Sequence, residues 1–363
     1  VILNNIGIFF CSFLSLFLFR KLAKAINLVD SPNARKHHAG SVPLVGGLAI
    51  FVVVFSFLFA FPDTITTPYL YLSCAITLLV VGVFDDLLDI SFKFRLLLQV
   101  VISGLMMFVG GLVLQNLGML VAPFTLDLSF FGYFVTVITV VGAINAFNMV
   151  DGIDGLLGGL SIVTFGSLGL LFFMNGQLDL MSFCLAIIVA TLPYILLNLG
   201  LPLGQRFKVF MGDAGSTVIG FTVVWLLIEG SQSSSPAISP VTALWIAAIP
   251  IMDAVYTIFR RIKKGQSPFQ PDRKHLHHIL QRLGLNSSMT LVTICSLASV
   301  FAAVGVIGEM MNVPEYIMFY SFIVMFLVYY RMMSRIWKVS VKIRRLFGVG
   351  RKSKKVASLA QRS

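Results

Sequence analysis

Of the 363 residues, 58% are hydrophobic and only 12% charged, and the mean hydropathy is +0.94. A soluble chain of this length carries roughly a quarter charged residues, so the composition excludes a water-soluble globular protein and puts the chain in a bilayer. The net charge of +12 is read first as membrane orientation, and nucleic acid is set aside because no base-stacking aromatics are interleaved with the basic tail.

A membrane-crossing helix needs about 20 mostly apolar residues, because each backbone amide must be satisfied within its own helix. In chain order the apolar runs fall at 1–19, 42–61, 69–84, 96–114, 130–147, 156–174, 180–203, 215–228, 241–259, 289–307 and 313–330. They predict an all-α, polytopic membrane protein with eleven transmembrane helices, the eighth being the shortest. The first run lacks a basic leader and a small-residue cleavage site, and so reads as a retained helix. Taken alternately, the connectors on one face hold all 27 Lys and Arg, and the opposite set holds none. Basic residues stay cytoplasmic during insertion, so the N-terminus is expected in the periplasm and the C-terminus in the cytoplasm. The expected organisation is a transmembrane domain over 1–330 with its active site at the cytoplasmic face, followed by a basic tail over 331–363. That tail suits anionic lipid headgroups. Cys11, Cys74, Cys184 and Cys295 sit singly in apolar runs, with no metal or disulfide spacing.

Ionisable groups are costly in a membrane, so acids at helix ends on one face need a reason. Eight of the fifteen acids fall on the inner face, six fall outside, and Asp253 lies within a span. Asp85 and Asp86 are adjacent where the third run emerges, a self-repelling pair unless a cation, a proton or a substrate resolves it. Asn145, Asn148, Asp151 and Asp154 recur every third residue; a continuing helix would line them along one stripe, whereas capping explains one of them but not four. Met211-Gly-Asp-Ala-Gly-Ser216 opens the eighth run, where free amides suit a phosphate and the Asp213 carboxylate suits a hard cation; helix capping is the plainer account. Pro271-Asp-Arg-Lys-His-Leu-His-His278 follows Arg260 and Arg261. Its histidines suggest a transition metal at first sight, but the cationic neighbours favour an anion such as phosphate. Together these residues form the inventory of metal-assisted phosphoryl transfer to a lipid acceptor.

Six stretches carry a resemblance: Asp30-Ser-Pro-Asn-Ala-Arg-Lys-His, Pro43-Leu-Val-Gly-Gly, Phe84-Asp-Asp, the Asn145 to Gly155 series, Met211-Gly-Asp-Ala-Gly-Ser and Pro271-Asp-Arg-Lys-His-Leu-His-His. In this order they resemble the polyprenyl-phosphate N-acetylhexosamine-1-phosphate transferases. The His-Leu-His-His form and the preceding Ser267-Pro-Phe-Gln resemble the bacterial undecaprenyl-phosphate GlcNAc-1-phosphate transferases, whereas the peptidoglycan branch carries His-His-His-Phe. The resemblance implies UDP-GlcNAc as donor, undecaprenyl phosphate as acceptor, and Mg2+ as cofactor, with Mn2+ able to substitute. It also implies the bacterial inner membrane, the first lipid-linked step of surface polysaccharide synthesis (O-antigen or enterobacterial common antigen type), and leaves room for a homodimer. By the same resemblance Asp213 is the principal metal ligand with Asn148 as a second, and Asp154, beside Asp151, contacts the nucleoside. Asp85 and Asp86 deprotonate or orient the lipid phosphate, near Arg95. Arg261, His275, His277 and His278 grip the donor diphosphate, assisted by Lys36. Asp30 and Asp89 receive no step. Rival readings are another donor, such as UDP-MurNAc-pentapeptide or UDP-GalNAc, and, from a different class, a secondary transporter using intramembrane acids.

Overall fold

The computed structural model describes residues 2–30, 40–121, 123–268 and 274–346. Its helices, in chain order, are α1 (Ile2–Ala25), α2 (Gly46–Ala60), α3 (Pro68–Leu88), α4 (Phe92–Phe108), α5 (Phe131–Val150), α6 (Leu156–Met174) and α7 (Leu178–Asn198). They continue as α8 (Gly212–Gln232), α9 (Pro240–Ile246), α10 (Ala248–Lys263), α11 (Leu276–Leu283), α12 (Ser287–Met310) and α13 (Glu315–Leu346). Each of the eleven apolar runs contains helix, although 42–45, 109–114 and 199–203 lie outside it. Among the described residues eight helices are long and apolar enough to cross a membrane, or nine if α9 and α10 form one bent crossing. The protein is therefore a helical, polytopic membrane protein. The second and fourth runs become helices of only 15 and 17 residues. At the other end, α13 continues unbroken past residue 330, where the basic tail was expected to begin.

The ninth run, expected as one crossing, is two helices bent by 83°. Pro250 is the third residue of α10. It has no N–H, and its ring clashes with the carbonyl four residues back, which disfavours a continuous helix through Ile246, and the chain turns at Ala247.

The eighth run, shortest in hydropathy, is a 21-residue helix at the centre of the bundle. Its polar side chains dilute the apolar signal but are paired inside the protein, as buried polar groups must be. Thr222 Oγ1 is 2.6 Å from the Tyr71 hydroxyl, and Glu229 accepts Trp225 Nε1–H at 2.9 Å and the Thr66 amide at 2.7 Å. The start of α2 approaches α8 so closely that a Cβ on Gly47 would overlap the Gly215 backbone. A two-stranded antiparallel sheet, β1 (Val29–Asp30) and β2 (Val42–Pro43), sets Val29 opposite Pro43. The Pro43 carbonyl accepts the Phe210 amide at 2.9 Å, and the Phe210 carbonyl accepts Gly46 N–H at 2.9 Å. The Pro43-Leu-Val-Gly-Gly stretch is thus a wedge that fixes where α8 begins.

Candidate active site

The ends of α3 and α5 meet the starts of α4 and α8. Asp85 and Asp86, adjacent in the last turn of α3, serve different neighbours. Asp85 accepts a hydrogen bond from Arg95 Nη1 in the first turn of α4, and the same nitrogen lies 3.4 Å from Asp213 Oδ2. Asp86 turns to α8, where its Oδ1 accepts the Asp213 amide at 3.0 Å and its Oδ2 faces the Ala214 amide at 3.4 Å. The first amides of a helix have no partner within it, and these two were expected to be free for phosphate. They are occupied by Asp86 instead, because the last turn of α3 brings that carboxylate across the N-terminus of α8.

On α5, Asn148 donates its amide to Asp213 Oδ1 and to Ser216 Oγ, both at 2.8 Å. Asn145 donates to Gln99 Oε1 at 2.7 Å. The expected stripe of four polar residues stops there, since α5 ends at Val150 and Asp151 is its C-cap. Two Asp-Gly pairs follow, and Gly155, in the left-handed region at φ 76° that glycine adopts without strain, sits immediately before α6. Asp154 therefore lies in a loop, paired with Lys208 at 2.6 Å. The Asn198 side-chain oxygen accepts the Gly155 amide at 2.5 Å and braces that loop.

Burial, reinforced by Asp213, Asp86 and Asp154 in that order, pushes the Asp151 carboxyl up to about 7. Arg95 and Lys208 are the cations paired with this group of acids in the described residues, which leaves a local excess of negative charge.

The histidine stretch closes over the same loop. A Cβ on Gly152 would run into the His277 ring. His277 is buried, and burial with His278 and His275 nearby pushes it down to about 3, so the ring is uncharged at neutral pH. Its Nε2 is buried and has no hydrogen-bond partner among the described residues. The His277 and His278 rings lie 4.2 Å apart between centroids, and His275 stacks on His277 at 5.9 Å, nearly parallel. Arg261 is buried and donates to the Pro268 carbonyl. Lys36 and Asp272 fall outside the described residues. Asp30 lies in β1 and Asp89 caps α3.

Among the described residues no three His, Cys, Asp or Glu side chains converge closely enough to cage a metal ion. The residues nonetheless fit magnesium, which binds through one or two carboxylates and completes its shell with water and substrate phosphates. Asp213 offers such a carboxylate, and Asp151 is close enough to feel its charge.

Lys208, Asn198 and Gln99 lie outside every motif of the sequence. They meet their partners across 54, 43 and 46 residues respectively, distances over which no local pattern signals a contact. Residues 68–231, which carry every one of the clustered acids, match the glycosyl transferase family 4. The chain is 50% identical over 343 residues to an undecaprenyl-phosphate alpha-N-acetylglucosaminyl 1-phosphate transferase of Salmonella typhi, covering 94% of this chain and 93% of that one. Proteins of the same name from Escherichia coli and Haemophilus influenzae are 49% and 45% identical, over 94% and 93% of this chain and 93% and 95% of their own.

Proposed function

The chain belongs to glycosyl transferase family 4, among the undecaprenyl-phosphate alpha-N-acetylglucosaminyl 1-phosphate transferases, and from that premise we propose that it moves GlcNAc 1-phosphate from UDP-GlcNAc to undecaprenyl phosphate. It is a membrane phosphotransferase, and UMP is the leaving product. One observation carries the reading: the acids Asp85, Asp86, Asp151 and Asp213 gather at one end of the bundle, under a buried histidine with a nitrogen unpartnered among the described residues. Such a group of charges is unfavourable in itself and is resolved by a metal-bound diphosphate.

A phosphate oxygen of the lipid attacks the sugar-linked phosphorus, forming a new P–O bond, while the bond to the bridging oxygen breaks and leaves with UMP. One phosphoanhydride replaces another, so the protein's task is to neutralise and align two anions. Magnesium held by Asp213 would supply charge neutralisation on the diphosphate. Asn148 orients the Asp213 carboxylate, and Asp86 holds the backbone that carries it. Arg95, shared between Asp85 and Asp213, presents positive charge on the acceptor side. His277, uncharged, can give a single N–H to a donor phosphate without adding a buried cation. The lipid phosphate is already a nucleophile, so direct attack is more economical than a covalent aspartyl intermediate.

The topology proposed with this chemistry has eleven crossings, a periplasmic N-terminus and a cytoplasmic C-terminus in the bacterial inner membrane. Its support is the one-sided distribution of Lys and Arg. The product would enter surface polysaccharide synthesis. Purified protein in detergent, given undecaprenyl phosphate, magnesium and a panel of radiolabelled UDP-sugars, tests the reaction. Labelled lipid with release of UMP from UDP-GlcNAc alone is the expected result. Release of UDP would mean that the glycosidic bond is broken, and would overturn the proposal.

A further inference from the structure

Asp253 stands outside every motif, in an apolar run, and is 1% exposed. A carboxylate so buried is strongly unfavourable unless its oxygens are satisfied. Three donors from two other helices converge on it. Oδ2 lies 2.8 Å from His275 Nδ1, while Oδ1 accepts the Leu276 amide at 3.0 Å and the Tyr329 hydroxyl at 2.9 Å. One side chain of α10 thereby ties down the first residue of α11, the histidine that precedes it, and a tyrosine midway along α13. His275 is 6% exposed and Tyr329 4%, so water does not compete at this junction.

We propose that Asp253 and Tyr329 are positioning residues for the donor side of the site, a role that rests on the transferase reading above and extends it to helix α13. A carboxylate accepting Nδ1–H decides which imidazole nitrogen carries the proton and which is left for a ligand. Here it leaves Nε2 of His275 as a hydrogen-bond acceptor, the nitrogen offered to a hydroxyl or amide hydrogen of the donor substrate. Through the Leu276 amide the same carboxylate sets where α11 starts, and α11 carries His277 onto Gly152. Tyr329 holds the second oxygen, so the carboxylate cannot swing away from the ring. Partners one step behind a functional histidine act in this way by fixing its orientation rather than by touching substrate.

The test uses the full chain in detergent with Tyr329→Phe, Asp253→Asn, His275→Ala and the double variant Asp253→Asn with His275→Ala. Asp253→Asn should raise the UDP-GlcNAc KM about tenfold, and Tyr329→Phe about threefold, with the undecaprenyl phosphate KM unchanged in both. The double variant should be no worse than His275→Ala alone. In protein labelled with 15N-histidine, His275 should show Nδ1–H in the wild type and a mixture of tautomers in Asp253→Asn. A mere brace would raise both KM values together with a lower Tm, give additive losses in the double variant, and leave the His275 spectrum unaltered; any of these overturns the proposal. If Asp253→Asn does not fold, Tyr329→Phe carries the same KM comparison. Absence of turnover in the wild type would count against the transferase reading alone, and the histidine spectrum would then decide the anchor.

Discussion

The Asp86 carboxylate accepts the backbone amide of Asp213 at 3.0 Å, so the acid at the end of α3 holds the first turn of the helix that presents the acid expected to bind metal.

Asp86→Ala should therefore raise the magnesium concentration needed for half-maximal turnover, and should lose about 1 kcal/mol of stability with the cap. Asp85→Asn disturbs Arg95 instead, and should lower turnover at an unchanged magnesium requirement. Metal titrations of the two variants separate these effects. An identical requirement in Asp86→Ala and wild type would show that the cap does not position Asp213.

Asp213→Asn keeps the side-chain shape and removes the charge that a hard cation needs. Turnover should fall by about three orders of magnitude, in keeping with several kcal/mol from metal assistance. The Asn148 contact should survive through the amide oxygen, so thermal melting in metal-free buffer should change little. Retained magnesium-dependent activity would place the metal on another residue.

The Asp151 carboxyl sits near 3.8 in an unfolded chain and is pushed up to about 7 in the folded one. Between those values the folded state binds the extra proton, so the contribution of Asp151 to stability is greatest below about 3.8 and is lost as pH rises to about 7. Magnesium held by Asp213 would relieve the repulsion that appears once Asp151 ionises. The rise in Tm on adding magnesium should accordingly be larger at pH 8 than at pH 5, with Asp151→Asn removing most of the difference. An equal rise at both values would exclude Asp151 as the group responsible.

Gly152 has no room for a side chain, because a Cβ there meets the His277 ring, whereas Gly166 in α6 faces open space. Gly152→Ala should raise the donor KM by displacing His277 and leave the acceptor KM alone. Gly166→Ala, a helix interior position, should be neutral or gain up to about 1 kcal/mol. Steady-state kinetics and melting curves on the pair are the check; unchanged donor kinetics in Gly152→Ala would detach the histidines from the donor.

A cysteine introduced at Ser233, in the connector after α8, should react with membrane-impermeant reagents from the periplasmic side only. Labelling from the cytoplasmic side would invert the topology and separate the basic connectors from the cytoplasm.

Several of these relationships were open to view in the chain and several were not, for identifiable reasons. Helix α6 coincides with its apolar run at both ends, since Gly155 and Asn175 punctuate a clean hydrophobic stretch. Helix α8 reads short because a helix with no lipid-facing surface can carry paired polar residues along its whole length. The Asn145 series misleads at its second half, where α5 ends at Val150 before the spacing does. The break at Ala247 was written in Pro250, which a hydropathy average does not register. The pairings of Asp154 with Lys208 and of Asp253 with His275 and Tyr329 arise only when distant helices pack, and no local periodicity encodes them.

The complete enclosure of α8 has a consequence for how the enzyme meets different membranes. Bilayers vary in hydrocarbon thickness, and a spanning helix in contact with lipid answers by tilting or by deforming the bilayer around it. Every residue of the apolar stretch of α8 is covered by other helices, so acyl chains have no direct purchase on the element that presents Asp213. The more exposed helices such as α1 and α13 are the ones that would answer a mismatch, and the surrounding lipid can reach the helix that carries Asp213 only through its neighbours.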